Sequence, residues 1–161
     1  MTKLSQFIDI DAADKKWAAS VPDYDAHIAR AVQAACEVLG RAHNAELSIA
    51  LMSDAQVQTL NRDYRGKDKP TNVLSFPATG PAYDAGHILG DIALARETVI
   101  REARDKGISP TDHMTHLVIH GYLHLCGYDH DTDKTAGLME GLEIKAMARL
   151  GLPSPYEENY V

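Results

Sequence analysis

The stretch that opens at Ser109-Pro110 and closes at Gly127 constrains this chain more than any other. Proline is well tolerated in a first helical turn and glycine is a natural stop after a last one, so the pair brackets a helix. Met114, Leu117, Val118, Ile119, Leu123 and Leu125 fall almost all round it. Such a helix is stable in water only when other elements cover it on several sides, which predicts a buried central helix. A chain of 161 residues has enough material to supply that cover within one domain, read as spanning residues 1–161.

The covering elements are legible from period and punctuation. Phe7, Ile8 and Ile10 suggest a short strand. After Pro22, Asp23 and Asp25 can cap a helix whose apolar face is Ile28, Ala31, Val32, Ala35, Cys36 and Leu39, and Gly40 stops it. Leu47, Ile49 and Leu51 alternate with Glu46 and Ser48 as a half-buried strand. Ser53 to Gln56 forms a capping-box pattern before a helix with Val57, Leu60 and Tyr64 on one side. Val73 to Phe76 is a strand closed by Pro77; Gly80, Pro81 and Gly86 mark a loop; Ile88 to Leu94 is a further strand. An exposed helix over Ala95 to Lys106 precedes the central one, and a last helix runs from about Lys134 to Leu150. Strands followed by helices imply an α+β or α/β class, with helices packed on a small mixed sheet.

Composition removes several functions. Apolar residues make up 45% and charged residues 24%, too well mixed for a disordered chain. No run approaches the ~20 apolar residues that span a bilayer, so no membrane partner is expected. Met1 to Phe7 shows no positive stretch followed by an apolar one, and two cysteines make no disulfide framework. A reducing, cytoplasmic setting is the expectation. A net charge of −7 argues against broad binding of nucleic acid and leaves room for a local basic patch.

The chemistry is concentrated in His120-Gly121-Tyr122-Leu123-His124-Leu125-Cys126-Gly127-Tyr128-Asp129-His130. Residues four apart share a helix face, so His120 and His124 project side by side. Gly127 can reverse the chain and bring His130 to the same point. Three imidazoles make a metal site with an open fourth position, and the spacing H-x-x-x-H-x-x-G-x-x-H is the metzincin frame. An ion held by three neutral ligands keeps its charge; zinc in such a site lowers the pKa of water from about 15.7 to about 7 and polarises a carbonyl or phosphoryl oxygen. A structural zinc would be closed by a fourth Cys or His, and Cys126 lies on another side of the helix, read as a packed thiol. His113 and His116 extend the stripe; His116 can orient a ligand, contact substrate, or be a satisfied histidine lining the approach.

In the metzincin frame a glutamate follows the first histidine and takes the proton from water; here Gly121 stands in its place, which counts against peptide hydrolysis. Phosphodiester cleavage needs cations around an anionic phosphorus centre instead. Arg62, Arg65, Lys67 and Lys69 against Asp63 and Asp68 form the candidate cluster, with Arg65 and Lys67 beside Gly66 nominated for phosphate.

Asn61 to Pro77, then Leu89-Gly90-Asp91-Ile92, then His116 to His130 closely resemble the YbeY family of bacterial rRNA-maturation endoribonucleases, in order and spacing from about Leu47 to Tyr156. The HGxLHLxGYDH block is highly specific, and the first forty or so residues match only in pattern. The resemblance implies a zincin-like fold and one Zn²⁺ per chain on His120, His124 and His130. It implies a single-strand-preferring endoribonuclease that helps mature the 3′ end of small-subunit 16S rRNA, takes part in ribosome quality control and partners the ribosome. The arginine of the family's YRxKD segment, which engages RNA in a basic channel, corresponds to Arg65. With Arg65 and His116 as catalytic candidates, the nucleophile is water, hydroxide or a ribose 2′-OH.

Other residues carry two readings each. Asp129 can anchor a ligand's second ring nitrogen or accept a proton, or simply shape the turn. Asp91 faces the cleft or a loop; Thr71 and Ser75 bind phosphate or face solvent; Met139 packs beneath the site or is ordinary core. The rival functions are a metallopeptidase with a base from elsewhere and a non-catalytic ribosome assembly factor with a structural zinc.

Overall fold

Alternating residues become strands and 3.6-residue periodicities become helices in the computed structural model, which describes residues 7–156. β1 (Ile8–Asp11) leads through a single helical turn, α1 (Trp17–Ser20), to α2 (Tyr24–Leu39). β2 (Glu46–Met52), α3 (Asp54–Arg65) and β3 (Val73–Pro77) follow, then the one-turn α4 (Pro81–Asp84) and β4 (Ile88–Ala95). Three helices complete the chain: α5 (Arg96–Lys106), α6 (Pro110–Leu125) and α7 (Asp133–Arg149). The strands form one mixed sheet in the order β1-β2-β4-β3; β1, β2 and β4 run parallel and β3 pairs antiparallel on the outside of β4. The class is α+β, as expected. Residues 1–6, read for a leader, and 157–161, within the expected domain span, lie outside the described residues. Among the described residues no helix is long and apolar enough to cross a membrane.

Local signals account for most element ends. Ser53 and Gln56 close the expected capping box, each side chain bonded to the other's backbone N–H. Pro110 opens α6 behind a Ser109 cap. Other ends differ from the sequence reading. Asp23 precedes α2 with φ 58°, and its side chain makes no cap bond. α1 forms although no periodicity announces it, because Trp17 is fully buried and its indole N–H donates to the Met52 carbonyl at 2.9 Å. Pro81, expected in a loop, starts the turn of α4. α5, expected to be exposed, buries Thr98, Val99 and Ala103. Tyr64, read on one side of α3 with Val57 and Leu60, is 72% exposed, whereas Val57 is buried. It lies in the helix's last turn, where its ring meets the sheet edge-on at Phe76.

α6 is the centre of the molecule. Eleven of its sixteen residues are buried, and α2, α5, α7 and strands β3 and β4 pack against it. It approaches the sheet closely at Gly121, where a Cβ would stand 3.1 Å from Ile92 Cδ1 and 3.1 Å from Ser75 Oγ. Gly90 makes a second tight contact on β4, at φ 148° and next to a register shift against β2. A Cβ there would collide with the Phe76 carbonyl and come 3.0 Å from Leu125 Cδ2. Gly90→Ala is expected to cost about 3 kcal/mol, a Tm loss of roughly 6–12 °C in a thermal melt. Gly137→Ala, exposed in α7 with open space around it, is the control and should gain about 0.5–1 kcal/mol.

Candidate metal centre

His120 and His124 stand one turn apart on α6, so the helix itself fixes their spacing. The helix then ends at Cys126, and Gly127 takes φ 100°. The Gly127 N–H donates to the His124 carbonyl and the Tyr128 N–H to the Leu123 carbonyl, each at 3.0 Å, a reversal that carries His130 back over the end of the helix. The three ring centroids are 4.7, 5.0 and 5.6 Å apart, and one nitrogen of each ring lies within 4.8 Å of the others. Small ring movements bring such a set to one ion at bonds of about 2.0–2.1 Å. Burial, reinforced by the neighbouring His120 and His130, lowers the His124 pKa and favours the neutral imidazole that ligation requires. Three histidines that can hold a metal ion are therefore together.

Behind them sits a residue that sequence reading missed. Glu143, on α7 and 1% exposed, accepts from His120 Nδ1 at 3.1 Å, from His116 Nε2 at 2.5 Å and from the Tyr156 hydroxyl at 2.6 Å. Burial alone would raise its carboxyl; the hydrogen bonds from His116 and His120, the attraction of His116 and the Tyr156 hydroxyl together hold it well below the usual carboxylate range. With Nδ1 of His120 committed to Glu143, Nε2 is the nitrogen left for an ion, an arrangement known to set ligand tautomer and ring orientation. His116 is buried and meets Glu143, on the far side of His120 from the cleft. His113 is buried too, its Nε2 bonded to Glu102 at 2.8 Å.

Asp129 accepts from the Thr135 side chain and from the Asp131 N–H at 3.3 Å; these bonds, with a smaller pull from His130 and His124, lower its pKa, and they tie the turn before α7. Cys126 is half-buried beside Arg41, at 3.7 Å, and burial pushes its thiol up to about 11. Met139 is buried in the main core. Asp91 is exposed on the other side of the sheet, in a groove it shares with Asp9 and Asp11.

One cleft of about 520 Å³ is lined by His120, His124, His130, Arg65, Lys67 and Lys69. Thr71 and Ser75 line it as well. Arg65 is the last residue of α3, and Gly66 caps the helix there. Its guanidinium donates to the Ser75 carbonyl at 2.5 Å and lies over the Phe76 ring, 5.2 Å from the centroid. Two contacts thus hold a cation whose remaining N–H groups can meet a phosphate. Gly121 offers nothing of the kind to a peptide: its Cα faces Ile92 and Ser75, so a side chain there would enter the sheet contact.

The family model described as endoribonuclease YbeY matches residues 9–151. A relative from Rhodospirillum rubrum named endoribonuclease YbeY is 48% identical over 161 aligned residues, covering 92% of this chain and 80% of its own length. One from Sphingopyxis alaskensis with the same name is 49% identical, covering 84% of this chain and 89% of its own. The solution structure of TM1509 from Thermotoga maritima shares the fold, with a TM-score of 0.55, 22% identity, and coverage of 89% of this chain and 91% of that one. A model match over most of the length, and relatives nearly half identical, place this chain in the YbeY endoribonuclease family.

Proposed function

We propose that this chain is a zinc-dependent endoribonuclease that cuts single-stranded RNA. The observation that carries the proposal is the single cleft shared by the histidine trio and by Arg65, Lys67 and Lys69. Three imidazole nitrogens suit zinc, one ion per chain, and when bound it supplies Lewis-acid activation of the phosphodiester and its attacking oxygen. The protein's own residues do the rest. Arg65 holds the phosphate and neutralises charge as it builds on the phosphorus oxygens. Lys67 and Lys69 add positive potential along the backbone path, which offsets the net charge of −7 locally. Glu143, with His116 behind it, fixes the His120 ring so that no reorganisation is needed when the site charges.

The finer reading follows the family: maturation of the 3′ end of small-subunit 16S rRNA and ribosome quality control, in the cytoplasm, on the ribosome or its small subunit, with residues 1–161 acting as one domain. Two cysteines with no disulfide between them accord with that compartment. The closed space at Gly121 disfavours a metallopeptidase.

Arg65→Glu tests the cleft directly. It is expected to lower cleavage of a labelled single-stranded RNA by about 10²-fold or more while elemental analysis still finds one zinc per chain. Unchanged cleavage with zinc in place would remove Arg65 from the reaction. Ribosome association without any zinc-dependent cleavage by the unmodified protein would favour an assembly factor instead.

A further inference from the structure

β3 lies on the edge of the sheet, and its successive residues serve opposite sides. Ser75 lines the histidine cleft, whereas Phe76 lines the groove on the other side. Arg65 bridges the two, bonded to the Ser75 carbonyl and lying over the Phe76 ring. Tyr64 meets the same Phe76 ring edge-on, with centroids 5.8 Å apart and planes at 65°. At 72% it is the most exposed large apolar side chain among the described residues.

A lone exposed aromatic is ordinary. This one is braced by a second ring and adjoins, in sequence and in space, the cation assigned to phosphate. The charged side chains lining its groove are Asp9, Asp11 and Asp91. Carboxylates repel a phosphate backbone, so a strand of RNA cannot run along that groove; a neutral nucleobase can still lie at its mouth.

Resting on the endoribonuclease reading, we propose that Tyr64, backed by Phe76, is a stacking platform for one unpaired nucleobase. The phosphate engages Arg65 on the cleft side of β3, and the adjoining base turns over the strand edge onto the Tyr64 ring. Every base has a π-face, so the contact is tolerant of sequence. A base within a duplex is already paired and stacked on its neighbours and cannot reach it. Tyr64 thereby gives the cleft a preference for single strands.

The test uses the full-length zinc-loaded protein and an eight-nucleotide single-stranded 2′-O-methyl RNA carrying 2-aminopurine at each position in turn. The unmodified protein is expected to quench the fluorescence strongly at one position. Tyr64→Ala should abolish that quenching and weaken binding roughly 10-fold, the usual size of a lost base–aromatic stack. Tyr64→Phe should restore both, and a blunt duplex should bind all three proteins alike. Binding by Tyr64→Ala within twofold of the original, or quenching that survives it, overturns the platform. If the proteins still cleave RNA in an Arg65-dependent way, the platform falls alone. If the unmodified protein neither binds nor cleaves RNA, the endoribonuclease reading falls with it.

Discussion

His124→Ala is expected to abolish both metal binding and RNA cleavage, with kcat/KM reduced at least about 10³-fold, the scale of the several kcal/mol a catalytic ion contributes. His124 is one corner of a nearly even triangle of rings, 4.7 Å from His120 and 5.0 Å from His130 by centroids. Two remaining imidazoles from different segments cannot hold an ion at comparable affinity. The ring is half-buried and belongs to the cleft wall, so its removal should leave the fold intact. Chelation of the unmodified protein should reproduce the loss of activity and lower its Tm, because an ion that binds only the native state stabilises it by mass action. The variant's Tm should not respond to chelator. Elemental analysis, a labelled RNA assay and paired thermal melts read all three. Cleavage that persists in metal-free His124→Ala protein would show that the trio is not the engine of the reaction.

The second large effect belongs to Glu143. Glu143→Ala would leave two imidazole N–H groups and the Tyr156 hydroxyl aimed at an empty, buried point, because Glu143 accepts from all three. Breaking a buried hydrogen-bonded charge cluster from one side costs about 3 kcal/mol, chiefly because the buried His116 donor loses its acceptor. Freed of its carboxylate, His120 can rotate, and metal affinity should fall by about 10–100-fold, the usual cost of losing such a support. Glu143→Gln separates the two consequences. It keeps an acceptor oxygen and nearly the same volume, so most of the stability returns, while the loss of negative charge still weakens the His120 ligand. Zinc competition titrations well below the melting temperature distinguish them. Unaltered affinity in both variants would confine Glu143 to a structural role.

The histidine trio could be read from the sequence because its geometry is local. Two ligands share a helix face, and the third follows one glycine-hinged reversal, so spacing alone predicts their convergence. Arg65 could be nominated from charge and from its place at a helix end. Glu143 could not: it sits on α7, thirteen residues after His130 (143 − 130), and reaches the site through the packing of α7 on α6. Nothing in its neighbourhood, Gly141-Leu142-Glu143-Ile144, distinguishes it from the exposed acids of the chain. Asp129 drew attention for the opposite reason, being next to a ligand in sequence while its hydrogen bonds turn toward Asp131 and Thr135. Tyr64 fitted the apolar period of α3, yet period alone does not say that its last turn stays in water. The short α1 and α4 were illegible because each is a single turn stabilised by tertiary contact or by proline, with no period to detect.

The close seating of α6 on the sheet at Gly121 also bears on how such a protein can change its trade over generations. A glutamate in that position would be one substitution toward a peptide-cutting frame, but even its Cβ would stand 3.1 Å from Ile92 Cδ1 and from Ser75 Oγ, so the sheet side would have to give way. A single substitution there therefore asks the sheet to yield as well, and a protein engineer seeking a peptidase would have to make room at Ile92 and Ser75 along with the change on the helix.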